Sequence, residues 1–133
     1  MSFDITAVQD VETATVDLVH PITKTPLGAS VTIAGPEHPD RKKISFNRMR
    51  RIRAEMAKSG KIKFSDPETD AEEEIKELVA CTLGWDGFMD NGQPLAFSKQ
   101  NAEKLYTDLA WLREQVSSAL NDRENFIKDS RTP

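Results

Sequence analysis

Ser98–Phe126 reads SKQNAEKLYTDLAWLREQVSSALNDRENF, and its apolar spacing decides the fold class that the sequence predicts. Ala102, Leu105, Leu109, Leu112, Val116 and Ala119 follow one another at steps of three, four, three, four and three residues. That is the heptad seam of a long helix rather than the broad apolar face of a globular one. Ser98 supplies the N-cap, and a helix unbroken to Phe126 spans about 40 Å at ~1.5 Å per residue.

Working outward, Ile75, Leu78, Val79, Thr82 and Leu83 obey the i, i+3, i+4, i+7, i+8 rule of a second helix. Thr69 or Asp70 caps it, Glu72, Glu73 and Glu74 complement the positive end of its dipole, and Gly84 ends it. The stretch between the two helices, Trp85–Leu95, is a loop carrying three large apolar side chains, Trp85, Phe88 and Met89. Upstream, Asp40 caps a third helix in which Met49, Ile52 and Met56 share one face, with Ile44 and Phe46 nearby, until Ser59-Gly60 closes it. Lys61–Phe64 is a short extended link, and Asp66-Pro67 opens a turn.

Nearer the N-terminus the period changes to two. Ala14, Val16 and Leu18 alternate with polar neighbours, as do Ala29, Val31 and Ile33, and Pro21–Gly28 between them is rich in turn residues. Two such runs predict a β-hairpin, which must lean on a helix or another subunit to persist in water. The expected fold is mainly α: about three main helices with a small N-terminal β-hairpin. Residues 1–12 are expected to be a flexible arm, 13–127 a single helical domain, and 128–133 a polar tail.

Composition sets the function classes. The 133 residues are 38% hydrophobic and 30% charged, with a mean hydropathy of −0.55. A chain this polar makes a slim core and tends to bury its remaining apolar surface against partners. A net charge of −4 and a pI near 5.2 speak against a general nucleic-acid binder. A lone cysteine, Cys81, makes no intramolecular disulfide and fits a reducing compartment. No run approaches the roughly 18–20 apolar residues of a membrane span, and Met1–Thr6 has no signal-peptide character, so the expected location is a cytoplasm.

No catalytic constellation emerges. His20 and His38 each precede a proline and read as turn residues, and with Cys81 their spacing matches no zinc pattern. Cys81 falls within a helical period and reads as helix filler rather than a nucleophile. Asp86–Gly92 resembles a calcium loop only superficially, because the sixth and twelfth positions hold Asn91 and Phe97. GxxxxGK and GxGxxG are both absent. The acidic run Asp66–Glu77 reads as solvated, without a pocket to separate its pKa values. The expectation is a non-enzymatic protein with no metal and no cofactor.

Charge is unevenly distributed. Arg41–Lys63 holds ten basic residues and one acidic, whereas Asp66–Glu77 holds seven acidic residues and one lysine. Attraction between these segments, within one chain or between copies, is the first reading; an acidic protein partner is the second, and phosphate the third. Arg50, Arg51 and Arg53, with Trp85, Phe88, Met89 and Trp111, are the candidate partner-binding residues. The loop residues either plug the space between two helices or form a contact patch, and Trp111 either widens the core or faces a partner.

Several short motifs resemble the tail assembly chaperones of long-tailed bacteriophages. His20-Pro21-x-Thr23-Lys24-x-Pro26-Leu27-Gly28, then a strand and Gly35-Pro36-Glu37, is similar to their N-terminal hairpin. Leu83-Gly84-Trp85-Asp86-Gly87, Phe97-Ser98-x-x-Asn101-Ala102, a long helix and Arg123-x-Asn125-Phe126 extend the similarity over residues 13–127. The resemblance implies a protein made late in infection in the host bacterial cytoplasm and absent from the mature virion. It would bind the tape measure protein, keep it soluble and recruit tail tube subunits. Charge complementarity between the Arg41–Lys58 helix and the Asp66–Glu77 segment of neighbouring copies predicts self-association as a ring or open spiral, and charge and hydropathy predict no nucleic-acid or membrane partner. The polar end at Pro133 fits the short form of such chaperones. A structural virion or connector protein, and a small DNA-binding regulator using the basic helix 41–58, are the competing expectations.

Overall fold

The computed structural model describes residues 2–60 and 67–131. In chain order these form β1 (Val8–Asp10), β2 (Thr13–Val19), β3 (Pro26–Ala34), α1 (Pro39–Ser59), α2 (Pro67–Cys81) and β4 (Thr82–Asp86). Then come β5 (Met89–Asp90), β6 (Gln93–Pro94), α3 (Lys99–Asp108), α4 (Ala110–Leu120), a 3-10 turn at Arg123–Phe126, and β7 (Ile127–Asp129). Four helices and seven strands in three sheets make the described residues an α+β fold. The mainly α expectation, with three main helices, is therefore corrected. The proposed link Lys61–Phe64 and the Asp66 end of the following turn lie outside the described residues, and α2 begins at Pro67, upstream of the proposed caps Thr69 and Asp70.

The expected hairpin is present but belongs to a larger sheet. β2 and β3 pair antiparallel, and β3 pairs in turn with β4, in the order β2-β3-β4. Val16, Val31 and Trp85 stand opposite one another across the three strands, on the face that meets the helices. The next rows, Thr15-Thr32-Gly84 and Asp17-Ser30-Asp86, form the polar face, as the two-residue strand period requires. Leu18, Val31, Ile33, Leu78, Ala102, Tyr106, Leu112, Val116 and Phe126 make the core between sheet and helices.

β4 is where helical periodicity misleads. Thr82 and Leu83 fit the spacing of α2, yet the helix ends at Cys81 and Thr82–Asp86 extends along β3. Thr and Trp suit a pleated, half-buried surface, and a third strand covers an edge of β3 that would otherwise leave its backbone unpaired. Gly84 consequently lies within a strand and does not cap a helix. The Lys99 ammonium takes over at the end of α2, donating to the carbonyls of Val79 at 2.9 Å and Thr82 at 2.7 Å. Cations are favoured at that negative end of the helix dipole.

The seam Ala102–Ala119 is also cut. Leu109 has φ −115° and ψ 88°, which ends α3 and starts α4 with neither proline nor glycine at the break. Arg113 Nη1 donates to the Tyr106 carbonyl at 2.7 Å, satisfying an acceptor near the interruption. The two halves of the seam meet different elements, α3 lying mainly against α2 and α4 against β2, β3 and α2. Ala102, Leu112 and Val116 are buried, and Leu105, Leu109 and Ala119 pack against the core.

Both ends of the fold are tied down. β1 pairs antiparallel with β7, so Val8, Gln9 and Asp10 of the N-terminal segment stand opposite Asp129, Lys128 and Ile127. Val11 N–H donates to the Phe126 carbonyl at 2.8 Å and Gly35 N–H to Glu12 at 2.7 Å, drawing three distant stretches together. Gln115 joins α4 to β2: its amide donates to the Val19 carbonyl at 2.8 Å and accepts from Val19 N–H at 3.1 Å. The one side-chain amide thus satisfies both backbone groups of Val19, next to the irregularity in the β2–β3 register between Asp17 and Val19.

Candidate partner-binding surface

α1 is the element least explained by the fold. Its start is well made: the His38 imidazole accepts from Asp40 N–H at 3.1 Å, and Pro39 follows at the first helical position. His38, rather than the expected Asp40, is thus the N-cap. Gly60 ends the helix at φ 70°, a conformation costly for residues with a Cβ, and its N–H bonds to Met56. Between these caps lie 21 residues of which none is buried. At ~1.5 Å per residue that is about 31 Å of helix with no side chain in the core.

One edge of α1 meets α2. Arg48 forms an ion pair with Glu77, and Arg51 with Glu73 at 3.7 Å. Partner numbers rise along one helix as they fall along the other, so the helices run antiparallel. Two of the charge pairs expected between oppositely charged helices are therefore made within a single chain. Exposed pairs of this kind contribute only about 0–1 kcal/mol each, so α1 is lightly held.

The adjoining flank is open. Phe46, Met49, Ile52 and Met56, spaced by three, three and four residues, are 53%, 48%, 38% and 47% exposed. Side chains at such spacing form one continuous ridge. Arg50 and Arg53 follow Phe46 and Met49 by four residues each and rim that ridge one turn further on. Arg50 donates only to Asn47 of its own helix, at 3.3 Å, and among the described residues Lys43, Arg53 and Lys58 make no ion pair. At the base of the helix, Lys42 pairs with Glu37 at 3.0 Å, and that hydrogen bond holds the Glu37 carboxyl below its usual range.

The candidate residues from the sequence are distributed over three places. Arg50, Arg51 and Arg53 lie on α1, and Arg51 is engaged by Glu73. Trp85 and Phe88 are half-buried in an aromatic cluster: the Trp85 ring stands 4.9 Å from Phe88 and 5.0 Å, edge-on, from Phe97, and its indole N–H donates to Leu95 at 2.9 Å. These two act as packing, whereas Met89 is exposed at the rim of a groove of about 350 Å³ beside Leu105 and Leu109. Trp111 packs against the core and lines a separate open groove of about 450 Å³ with Val16, Val19, Pro21 and Gln115. The exposed ridge of α1 was legible only as an apolar face; nothing in its period says that the face is uncovered.

Other candidate groups have local structural duties. His20 accepts from the N–H groups of Ile22 and Thr23 through Nδ1, organising the turn between β2 and β3. Cys81 is buried, and burial pushes its thiol up, away from the thiolate form that reacts. Tyr106 and Thr82 share a buried hydrogen bond of 2.8 Å. Among the described residues there is no cluster of potential metal ligands, and no helix is long and apolar enough to cross a membrane.

With this geometry in view, comparison with known proteins places the chain among phage and prophage proteins. The family model described as YdaY prophage protein matches residues 40–132, from the first turn of α1 to the far end of the chain, and the protein belongs to that family. Neither the search of curated proteins nor that of solved structures gave a match.

Proposed function

We propose that this protein is a non-enzymatic tail assembly chaperone. It binds the tape measure protein in the host cytoplasm, keeps that long chain soluble, brings tail tube subunits to it, and leaves before the particle is complete. The observation that carries the proposal is α1: a capped helix of 21 residues, none buried, with an exposed apolar ridge. A surface helix with no side chain in the core owes little of its stability to the fold around it and gains most by covering a partner. Membership of a prophage family and the tail-chaperone-like motifs over residues 13–127 supply the context. The family match begins after the hairpin, so it covers α1 and the groove beside Met89 but neither the His20–Gly28 motif nor the β2 side of the Trp111 groove.

The test is co-expression with the tape measure protein encoded by the same prophage. The tape measure protein should be soluble and co-purify with this chain, and should precipitate without it. Purified particles should lack the chain, and deleting its gene should abolish tails. Equal solubility with and without the chain opposes the proposal, and its presence in finished particles favours a connector or other virion component.

A further inference from the structure

The open flank of α1 has a definable partner. We infer that the ridge Phe46-Met49-Ile52-Met56, with Arg50 and Arg53 on its rim, docks an acidic amphipathic helix from another protein. The inference deepens the chaperone proposal by naming the chemistry of the client segment, and it rests on the chain being a protein-binding protein.

Three observations select this occupant. First, the ridge Phe46-Met49-Ile52-Met56 runs along about three turns of one helix as a narrow stripe, which suits the apolar stripe of a second helix laid beside it. Second, Arg50, Arg53 and Lys43 make no ion pair among the described residues, so the rim is electropositive and calls for carboxylates. Third, the chain already contains one such contact. On its other edge α1 accepts α2, whose Glu73 and Glu77 stand four residues apart and meet Arg51 and Arg48. A client helix with carboxylates at i, i+4 beside an apolar stripe would repeat that arrangement on the open edge.

Other occupants fit less well. A second α1 would oppose two strongly basic helices. α2 of a second copy would bring carboxylates, but apart from Pro67 and Ala71 its exposed positions are all polar or charged, with no large apolar side chain to cover Phe46 or Met49. Duplex DNA or an anionic vesicle would meet the exposed Met and Phe ridge and, next to it, the acidic α2 of a chain with net charge −4.

The experiment uses the full chain and two labelled synthetic helices of the length of α1. Both carry leucine at heptad a and d positions; one is flanked by glutamate at e and g, the other by lysine. Fluorescence anisotropy should show saturable binding of the glutamate peptide and at least about tenfold weaker binding of the lysine peptide, a difference of ~1.4 kcal/mol. Arg50→Glu/Arg53→Glu should weaken the glutamate peptide by at least about tenfold and strengthen the lysine peptide. Met49→Ser/Met56→Ser should weaken both. None of these residues is buried, so circular dichroism should be unchanged, and the gain for the lysine peptide shows that the charge-reversed protein is folded.

Equal binding of the two peptides, binding of neither, or tighter binding to duplex DNA or to phosphatidylserine vesicles than to the glutamate peptide would overturn the inference. So would a dimer of the chain in sedimentation that Met49→Ser/Met56→Ser dissolves, because a second copy would then cover the ridge. The two proposals separate cleanly. If the tape measure protein is held equally by wild type and by Arg50→Glu/Arg53→Glu, the chaperone proposal stands and the α1 assignment falls. If the peptides behave as expected but no tape measure protein is held, the α1 assignment stands and the tail role falls.

Discussion

Gly35 is the residue on which three parts of the chain converge. A Cβ built there would lie 2.6 Å from Phe126 Cδ1 and 3.2 Å from the Glu12 carbonyl oxygen. Phe126 is buried, with the Arg41 guanidinium 5.8 Å above its ring, so the ring has little room to withdraw. Gly35→Ala should cost about 1–3 kcal/mol, as overpacking in a closed core does, visible as a lower denaturation midpoint with an unchanged slope. A midpoint equal to wild type would show that the ring yields freely. The sequence marks Gly35-Pro36 as the end of a strand, but it holds no sign of the aromatic ring that arrives from 91 residues further on.

Tyr106, the single tyrosine, gives a second handle at this scale. Burial pushes its hydroxyl up to about 12, while the hydrogen bond with Thr82 acts in the opposite direction. The unfolded chain loses the phenol proton near ~10, so between pH 10 and 12 it binds fewer protons than the folded chain. Stability is therefore fully present below about pH 10 and falls as pH rises toward 12, by an order-of-magnitude 2–3 kcal/mol. Tyrosinate absorbance should titrate late and together with unfolding. Titration near the ordinary value in a chain that remains folded would place Tyr106 outside the core.

At the scale of elements, the Ser98 cap and the Ser59-Gly60 stop were legible, whereas Asp40, Thr69 or Asp70, and Gly84 do not cap the helices expected of them. Ser98 does cap α3, accepting from Asn101 N–H at 3.0 Å, because an N-cap is a local bond between residues three apart. The ends of α2 and α3 depend instead on remote groups: β3 captures Thr82–Asp86, Lys99 closes α2, and Arg113 serves the carbonyl of Tyr106. The tie between α4 and β2 is equally remote, since Gln115 meets Val19 across 96 residues. Gln115→Ala leaves the Val19 N–H and carbonyl without that partner and should destabilise by about 1–3 kcal/mol. Gln115→Glu keeps the acceptor but loses the donor and should fall between the two. Equal stability of all three chains would mean that water replaces the amide without loss.

For the whole molecule, the polar composition with ordered apolar periods indicated a slim core and surface left over for partners. Among the described residues, four of the ten exposed large apolar side chains lie together on α1. Period alone did not separate α1 from the buried helices, because Met49, Ile52 and Met56 repeat at helical spacing whether or not anything covers them. The density of charge around them is the usable signal: eight basic residues between Arg41 and Lys58 leave only a narrow stripe to bury. Trp85 and Trp111, in contrast, stood out by residue type; both pack part-buried against the core, and Trp111 also lines an open groove.

On the proposed function, α1 is lightly held in the free chain and is stabilised when a partner covers it. Amide hydrogen exchange measures this directly, because local opening without burial costs little and each helix reports separately. In the free chain, amides across α1 should exchange much faster than those of α3 and α4, and they should gain protection when the tape measure protein or the glutamate-flanked peptide is added. Protection in free α1 equal to that of α3, with no change on adding either partner, would contradict the account.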